Sequence, residues 1–225
     1  MLKPKRKITK KEIKRDPFLE TIDKLENSFE QNKKTFLNVV LVLIAGIFII
    51  NFLLKKQDQK NIDSNSALGV AMVAFENKDY ENAKFQFETI SSNYEGTESE
   101  IFSNYYLGKI AFELGEFDKA KFLLNDFLDN AEKATFVCGA IKQLVDIHFN
   151  ENDFQKSLDI IAKAKKFDLN NISKFELKLL KINTLIKMND LQGAKIEVGK
   201  VLNSKNLPSN IEQKINEFEG LLSAL

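Results

Sequence analysis

The chain has 225 residues, 33 Lys and Arg against 32 Asp and Glu, a net charge of +1, one Cys, three Pro and nine Gly. The lone thiol, Cys138, excludes an intramolecular disulfide, so packing alone must hold any domain together. With so few Pro and Gly and no alternating β-type runs, the chain reads as nearly all helical.

The first 35 residues form a basic head. Lys3 to Arg15 holds eight basic residues and one acid, Glu12. Each such charge beside an anionic leaflet is worth about 1 kcal/mol, so Lys5, Arg6, Lys7, Lys10 and Lys11 read as cytoplasmic contacts with anionic lipid. Contact with ribosomal RNA or a translocon loop is the alternative, but no aromatic residues interleave the charges for base stacking, and no nucleic acid partner is expected. Asp16-Pro17 is a helix start with Pro at the first helical position. The amphipathic helix predicted over 17–34 carries Phe18, Ile22, Leu25 and Phe29 at intervals of four, three and four. That stripe suits a membrane surface or a partner helix.

Phe36 to Leu54 reads FLNVVLVLIAGIFIINFLL, 19 residues without a charge. At about 1.5 Å per residue the run covers roughly 28 Å, close to the hydrocarbon thickness of a bilayer. Only a helix satisfies its own backbone in that medium. Lys33, Lys34, Lys55 and Lys56 bracket the run as snorkelling anchors. It is longer than a signal-peptide core and no small-x-small cleavage site follows, so an uncleaved single-pass anchor over 36–54 is expected. Residues 1–35 hold 11 basic and six acidic residues, leaving 22 and 26 for the rest. Short basic segments stay cytoplasmic, which puts the N-terminus inside and the large domain outside. A linker over 55–62 then leads to a domain over 63–225, long enough for its own core.

Within that domain a 37-residue period stands out. NKDYENAKFQFETI from Asn77, LGEFDKAKFLLNDF from Leu114, ENDFQKSLDIIAKA from Glu151 and MNDLQGAKIEVGKV from Met188 align on a polar turn. Tyr80, Phe117, Phe154 and Leu191 hold one position, and Ala83, Ala120, Ser157 and Ala194 hold another three residues later. Before each turn runs an apolar stripe: Val70, Ala71, Ala74; Leu107, Gly108, Ala111; Leu144, Val145, His148; Ile182, Leu185. After each turn runs a second: Phe87, Ile90; Leu124, Phe127; Ile161, Ala164; Val198, Val201. Spacings of three and four place each stripe on one helix face, and the small residue lets two antiparallel helices approach. Asp118, Asp153 and Asp190 are placed to cap helix starts.

The segment Leu107-Gly108-x-x-Ala111-x-x-x-Gly115-x-Phe117-x-x-Ala120-x-x-x-Leu124 resembles a tetratricopeptide repeat. The resemblance covers about residues 63–203 and implies an all-α solenoid of four degenerate hairpins behind one N-terminal transmembrane helix. Ser209 to Leu225, with Ile211, Ile215, Phe218, Leu221 and Leu222, reads as an amphipathic helix capping the last face. The resemblance further implies a concave surface built from the first helices. Mapped onto it are Met72 and Phe75; Tyr105, Lys109 and Phe112; Lys142, Asp146 and Phe149; Leu179, Asn183 and Ile186. Phe75, Phe112 and Phe149 recur 37 apart, either as core between repeats or as the lining of an apolar groove. The mixed charges differ from a Lys/Asn clamp for C-terminal carboxylates, so a client of apolar character is expected.

No catalytic constellation is present. His148 falls inside an apolar stripe, Cys138 is ten residues away, and glycine-rich phosphate loops are absent. No enzyme activity, cofactor, metal or small-molecule substrate is expected. The layout, with NKKTFLNVVLVLIAGI entering the membrane and LLKINTLIKMNDLQGAK in the last unit, resembles the ancillary subunit family of the bacterial Sec translocon. That resemblance implies a scaffold in the inner membrane, with its repeat domain in the periplasm, associated with SecYEG and periplasmic chaperones or client polypeptides. Two alternatives stand beside it. One is a scaffold for cytochrome maturation or outer-membrane protein assembly; the other is a regulator acting through the basic head.

Overall fold

A computed structural model describes residues 21–22, 29–30 and 32–224. Among the described residues there is no strand, and helices follow one another from Lys33 to Ala224. The chain divides between Asp58 and Gln59 into two units. In the first, the opening part of helix α1 (Lys33–Glu76, 44 residues) is clothed in exposed apolar side chains, and the Phe36 ring meets Phe29 with centroids 5.3 Å apart. Its most apolar window has a mean hydropathy of 2.8 with no buried residue. The helix is long and apolar enough to cross a membrane. Helix begins at Lys33, three residues before the apolar run, and residues 55–62 are helical as well.

In the second unit the expected hairpins are present. The last turns of α1 pair with α2 (Tyr80–Asn93), α3 (Glu98–Glu113) with α4 (Phe117–Asn130), α5 (Val137–Asn150) with α6 (Phe154–Lys163), and α7 (Asn171–Lys187) with α8 (Leu191–Leu202). First helices end at Glu76, Glu113, Asn150 and Lys187, and second helices start at Tyr80, Phe117, Phe154 and Leu191, so both edges of each turn keep the 37-residue period. Ala83, Ala120, Ser157 and Ala194 are wholly buried where the paired helices meet. At Gly108 a Cβ would lie 2.8 Å from Leu124 Cγ, so α3 and α4 touch nearly backbone to side chain there.

The four turns share one backbone. Lys78, Gly115, Asn152 and Asn189 adopt φ of 59°, 76°, 57° and 61°. Each donates its N–H to the carbonyl three residues back, and the next residue donates to the carbonyl five back: Asp79 to Ala74, Glu116 to Ala111, Asp153 to His148 and Asp190 to Leu185, at 3.1, 2.8, 2.8 and 2.9 Å. This is a left-handed helix stop. Its final residue also caps the next helix. The side chains of Asp79, Asp153 and Asp190 accept from the N–H groups of Asn82, Lys156 and Gly193. In the second unit Glu116 holds that place and makes no side-chain cap bond. Asp118, expected to cap, is the second residue of α4 and pairs with Lys121 at 3.0 Å.

The apolar stripes are buried as their spacing requires, apart from Phe218, half-buried on the last helix, and three others. Val70 points to solvent while Ala71 and Ala74 are covered. Ala164 lies in a short 3₁₀ turn after α6 and is half-buried. Leu221 of the last helix is exposed. That helix, α9 (Ser209–Ala224), buries Ile211, Ile215 and Leu222. It packs on α7 and α8, as α7 packs on α5 and α6 and α5 on α3 and α4. It therefore occupies the place of a fifth first helix, and it ends 37 residues after Lys187.

The left-handed residue sets a test with opposite signs at two equivalent positions. Only glycine adopts that conformation without strain. Lys78→Gly is expected to stabilise the domain by up to about 1 kcal/mol, and Gly115→Ala to destabilise it by about as much. Thermal unfolding followed by circular dichroism reads both, and a shift in the same direction for the two variants contradicts the turn geometry.

Candidate protein-binding groove

The first helices lie side by side, α3 on α5 and α5 on α7, so the residues mapped onto them come from one row of helices. The structure divides these residues into two groups.

Toward the N-terminal end the mapped residues meet one another and fill the space between them. Phe75 and Tyr105 are buried. Phe75 packs against Tyr106 with ring centroids 5.2 Å apart, Tyr106 stacks on Phe87 at 4.9 Å, and Tyr105 stacks on Phe136 at 4.7 Å. Phe136 itself is held at a positive φ of 63°, a conformation that costs a bulky residue and persists because three rings pack against it. The Lys109 ammonium sits 4.8 Å from the Phe75 ring centre and within 6 Å of both tyrosines, a cation–π seat supplied from within the fold. Met72 packs against the same cluster. Burial, and next Tyr106 and Cys138, push the Tyr105 phenol up to about 12.

The three recurring rings share a further role. Phe75 meets Tyr80 at 5.6 Å, Phe112 meets Phe117 at 5.8 Å, and Phe149 meets Phe154 at 5.3 Å. Each spans one turn, joining the end of a first helix to the start of its partner. Ile186 and Leu191 hold the same two positions in the fourth unit.

Toward the C-terminal end a cleft stays open. Lys142 from α5, Glu176, Leu179, Leu180 and Asn183 from α7, and Lys214, Glu217 and Phe218 from α9 surround about 400 Å³. The floor is apolar and the rim is charged. Lys142 Nζ is 2.8 Å from Glu176 Oε2, and Cys138 Sγ lies 3.4 Å from the same oxygen. The Lys142 hydrogen bond holds the Glu176 carboxyl below its ordinary range, while burial pushes the Cys138 thiol up. One turn along α5, desolvation raises the Asp146 carboxyl against the pull of Lys142. Of the mapped residues, Lys142, Leu179 and Asn183 line this cleft; Asp146, Phe112, Phe149 and Ile186 do not. Its α9 wall was missed because the last helix read as a plain cap. The extension of the 37-residue period to Ala224 is the signal that marks it as a first helix.

Of the head residues, Ile22 and Phe29 are exposed, while Lys5, Arg6, Lys7, Lys10, Lys11, Phe18 and Leu25 lie outside the described residues. His148 is buried, its Nδ1 3.2 Å from Glu151 Oε2. Glu151 also pairs with Lys121 at 2.6 Å, and that bond holds its carboxyl low. Among the described residues no group of three or more His, Cys, Asp and Glu is arranged to hold a metal.

A family model described as a tetratricopeptide repeat-like domain matches residues 27–178, more than half of the chain. A search of curated proteins finds no match. The matched segment ends one residue before Leu179, so Leu179, Leu180, Asn183 and the α9 wall of the cleft lie beyond it.

Glu151 and Glu176 make stability acid-sensitive. A carboxylate held low in the fold stabilises it above the unfolded value of about 4.3, and that share is lost as pH falls through the folded value. The urea midpoint is expected to stay level between about pH 7 and 5 and then fall in acid. Lys121→Met should make the acid limb shallower, and an unchanged limb removes the Lys121–Glu151 pair from the explanation.

Proposed function

The chain belongs to the tetratricopeptide repeat-like domain family, and on that footing we propose that it is a membrane-anchored, non-enzymatic scaffold that binds proteins through the cleft between α5, α7 and α9. The observation that carries this reading is the cleft, lined by the apolar Leu179, Leu180 and Phe218 and by charged side chains, whereas the N-terminal end of the row is filled by Phe75, Tyr105 and Lys109. Such a surface suits an apolar segment of a polypeptide, with Asn183 and the rim charges available to its polar groups. The helix α1 serves as the anchor, with its N-terminus in the cytoplasm and the repeats on the far side of a bacterial inner membrane. The charge difference between the head and the rest of the chain favours that orientation. Through its resemblance to the translocon ancillary subunits, the protein would work beside SecYEG, receiving secreted or membrane polypeptides together with periplasmic chaperones.

The test is cross-linking of the tagged full chain in its native membranes, with a photoreactive residue at Lys214, followed by mass spectrometry. Channel subunits captured with periplasmic chaperones or nascent secreted chains support the whole reading. A different envelope complex, without a channel subunit, removes the translocon and leaves the anchored scaffold. Phe218 is half-buried on the cleft wall, so Phe218→Ser should keep the helical circular dichroism and reduce client capture several-fold. Undiminished capture would place the client elsewhere.

A further inference from the structure

The first unit carries a hollow of its own, at the start of the apolar run. Phe29, Lys33, Lys34, Phe36, Leu37 and Val40 surround about 430 Å³, within the roughly 300–1,000 Å³ of small-ligand sites. Lys33, Phe36, Leu37 and Val40 follow one another at intervals of three, one and three, so they share one face of α1. Phe29 comes from ahead of the helix. Residues 29–30 are helical and Asn32 is in a turn before α1 begins at Lys33. Across that turn the Phe29 ring tilts against Phe36 at 5.3 Å, which makes a concavity of what is otherwise a bare helix side. Glu30 is exposed and does not line it.

Charge and depth together define the occupant. Lys33 and Lys34 precede the uncharged run, while Phe36, Leu37 and Val40 lie within it. With α1 across a membrane, the two ammonium groups stand at the level of the headgroups and the apolar wall below them faces acyl chains. A second copy inserted the same way would bring two more lysines to the same rim, and like charges in contact are costly. A zwitterionic lipid carries a cation of its own beside its phosphate. An anionic lipid brings a phosphate without one, and can meet both lysines while its chain fills the hollow. We infer that the hollow is a site for one anionic phospholipid, its phosphate on Lys33 and Lys34 and an acyl chain against Phe29, Phe36, Leu37 and Val40. The inference rests on the reading of α1 as a membrane anchor. It requires neither a particular orientation in the membrane nor a client in the cleft.

The chain has no Trp, so a single substitution supplies the only indole. The full chain with Val40→Trp is reconstituted in phosphatidylcholine vesicles that contain, at equal mole fraction, either phosphatidylglycerol or phosphatidylcholine brominated on its acyl chains. Bromine quenches the indole only at close range. The anionic bromolipid is expected to quench several-fold more effectively than the zwitterionic one. Lys33→Gln with Lys34→Gln, which leaves the basic head intact, should abolish that preference. Phe29→Ala changes no charge and opens the hollow, and should reduce it. Phe52→Trp, beside the matching Lys55 and Lys56 at the other end of the run, should show a weaker preference. Equal quenching by the two lipids leaves the anchor standing and overturns the site. So does a preference as strong at Phe52, or one that survives the lysine substitutions or Phe29→Ala. Quenching by neither lipid removes the anchor and the site together.

Discussion

The repeat domain depends on how closely two antiparallel helices approach across each turn. Ala83, Ala120, Ser157 and Ala194 sit at that contact and are wholly buried. Interiors are packed to the density of organic crystals, so an extra methylene there must displace its neighbours. Ser157 is tolerated because its hydroxyl donates to the Asp153 carbonyl at 3.3 Å, leaving no buried donor unmet. Once the helices touch at that point, the turn has only one solution. A left-handed residue stops the first helix, the next residue caps the second, and an apolar pair closes the corner from outside.

The same packing explains where binding surfaces arise. In a solenoid each unit touches only its neighbours, so every inner face is consumed by the stack. The aromatic cluster of Phe75, Tyr105 and Tyr106 shows this: a concave-looking set of rings is filled by Lys109 and by the neighbouring repeat. Open relief survives where the regular succession breaks. At one end α9 stands as a first helix, and its seat on α7 leaves the cleft. At the other end Val70, Val73 and Phe85 are exposed.

Much of this was legible in the sequence because it is local. Turn position, helix phase and the buried small residues follow from spacings of three, four and 37, and the structure places the second-helix starts on the residues that define the period. What escaped is non-local or depends on a single residue of register. Val70 has the chemistry and phase of a core residue, but its position is covered at Leu107 and Leu144 and open at Val70, and the fourth unit places the half-exposed Lys181 there. Asp118 has the chemistry of a cap, but the capping position in its unit is two residues earlier, at Glu116. The α9 side of the cleft could not be seen from a stripe that reads equally well as a cap or as a repeat helix.

The stretch between the apolar run and the repeats shows how cooperativity overrides composition. Residues 55–62 read KKQDQKNI, a polar sequence with no stripe to fix its conformation. Nucleating a helix is the costly step, while extending one adds a hydrogen bond for each residue fixed. Here helix is already present on both sides. The apolar run is helical on one side, and Ser64, Leu68, Ala71 and Ala74 are buried on the other. The polar residues need only propagate it. Gln59 donates to Asp63 one turn on at 2.8 Å, and Lys60 reaches the Glu95 carbonyl beyond α2 at 2.6 Å. A segment that reads as a loose connector is thereby part of the helix that carries the first repeat.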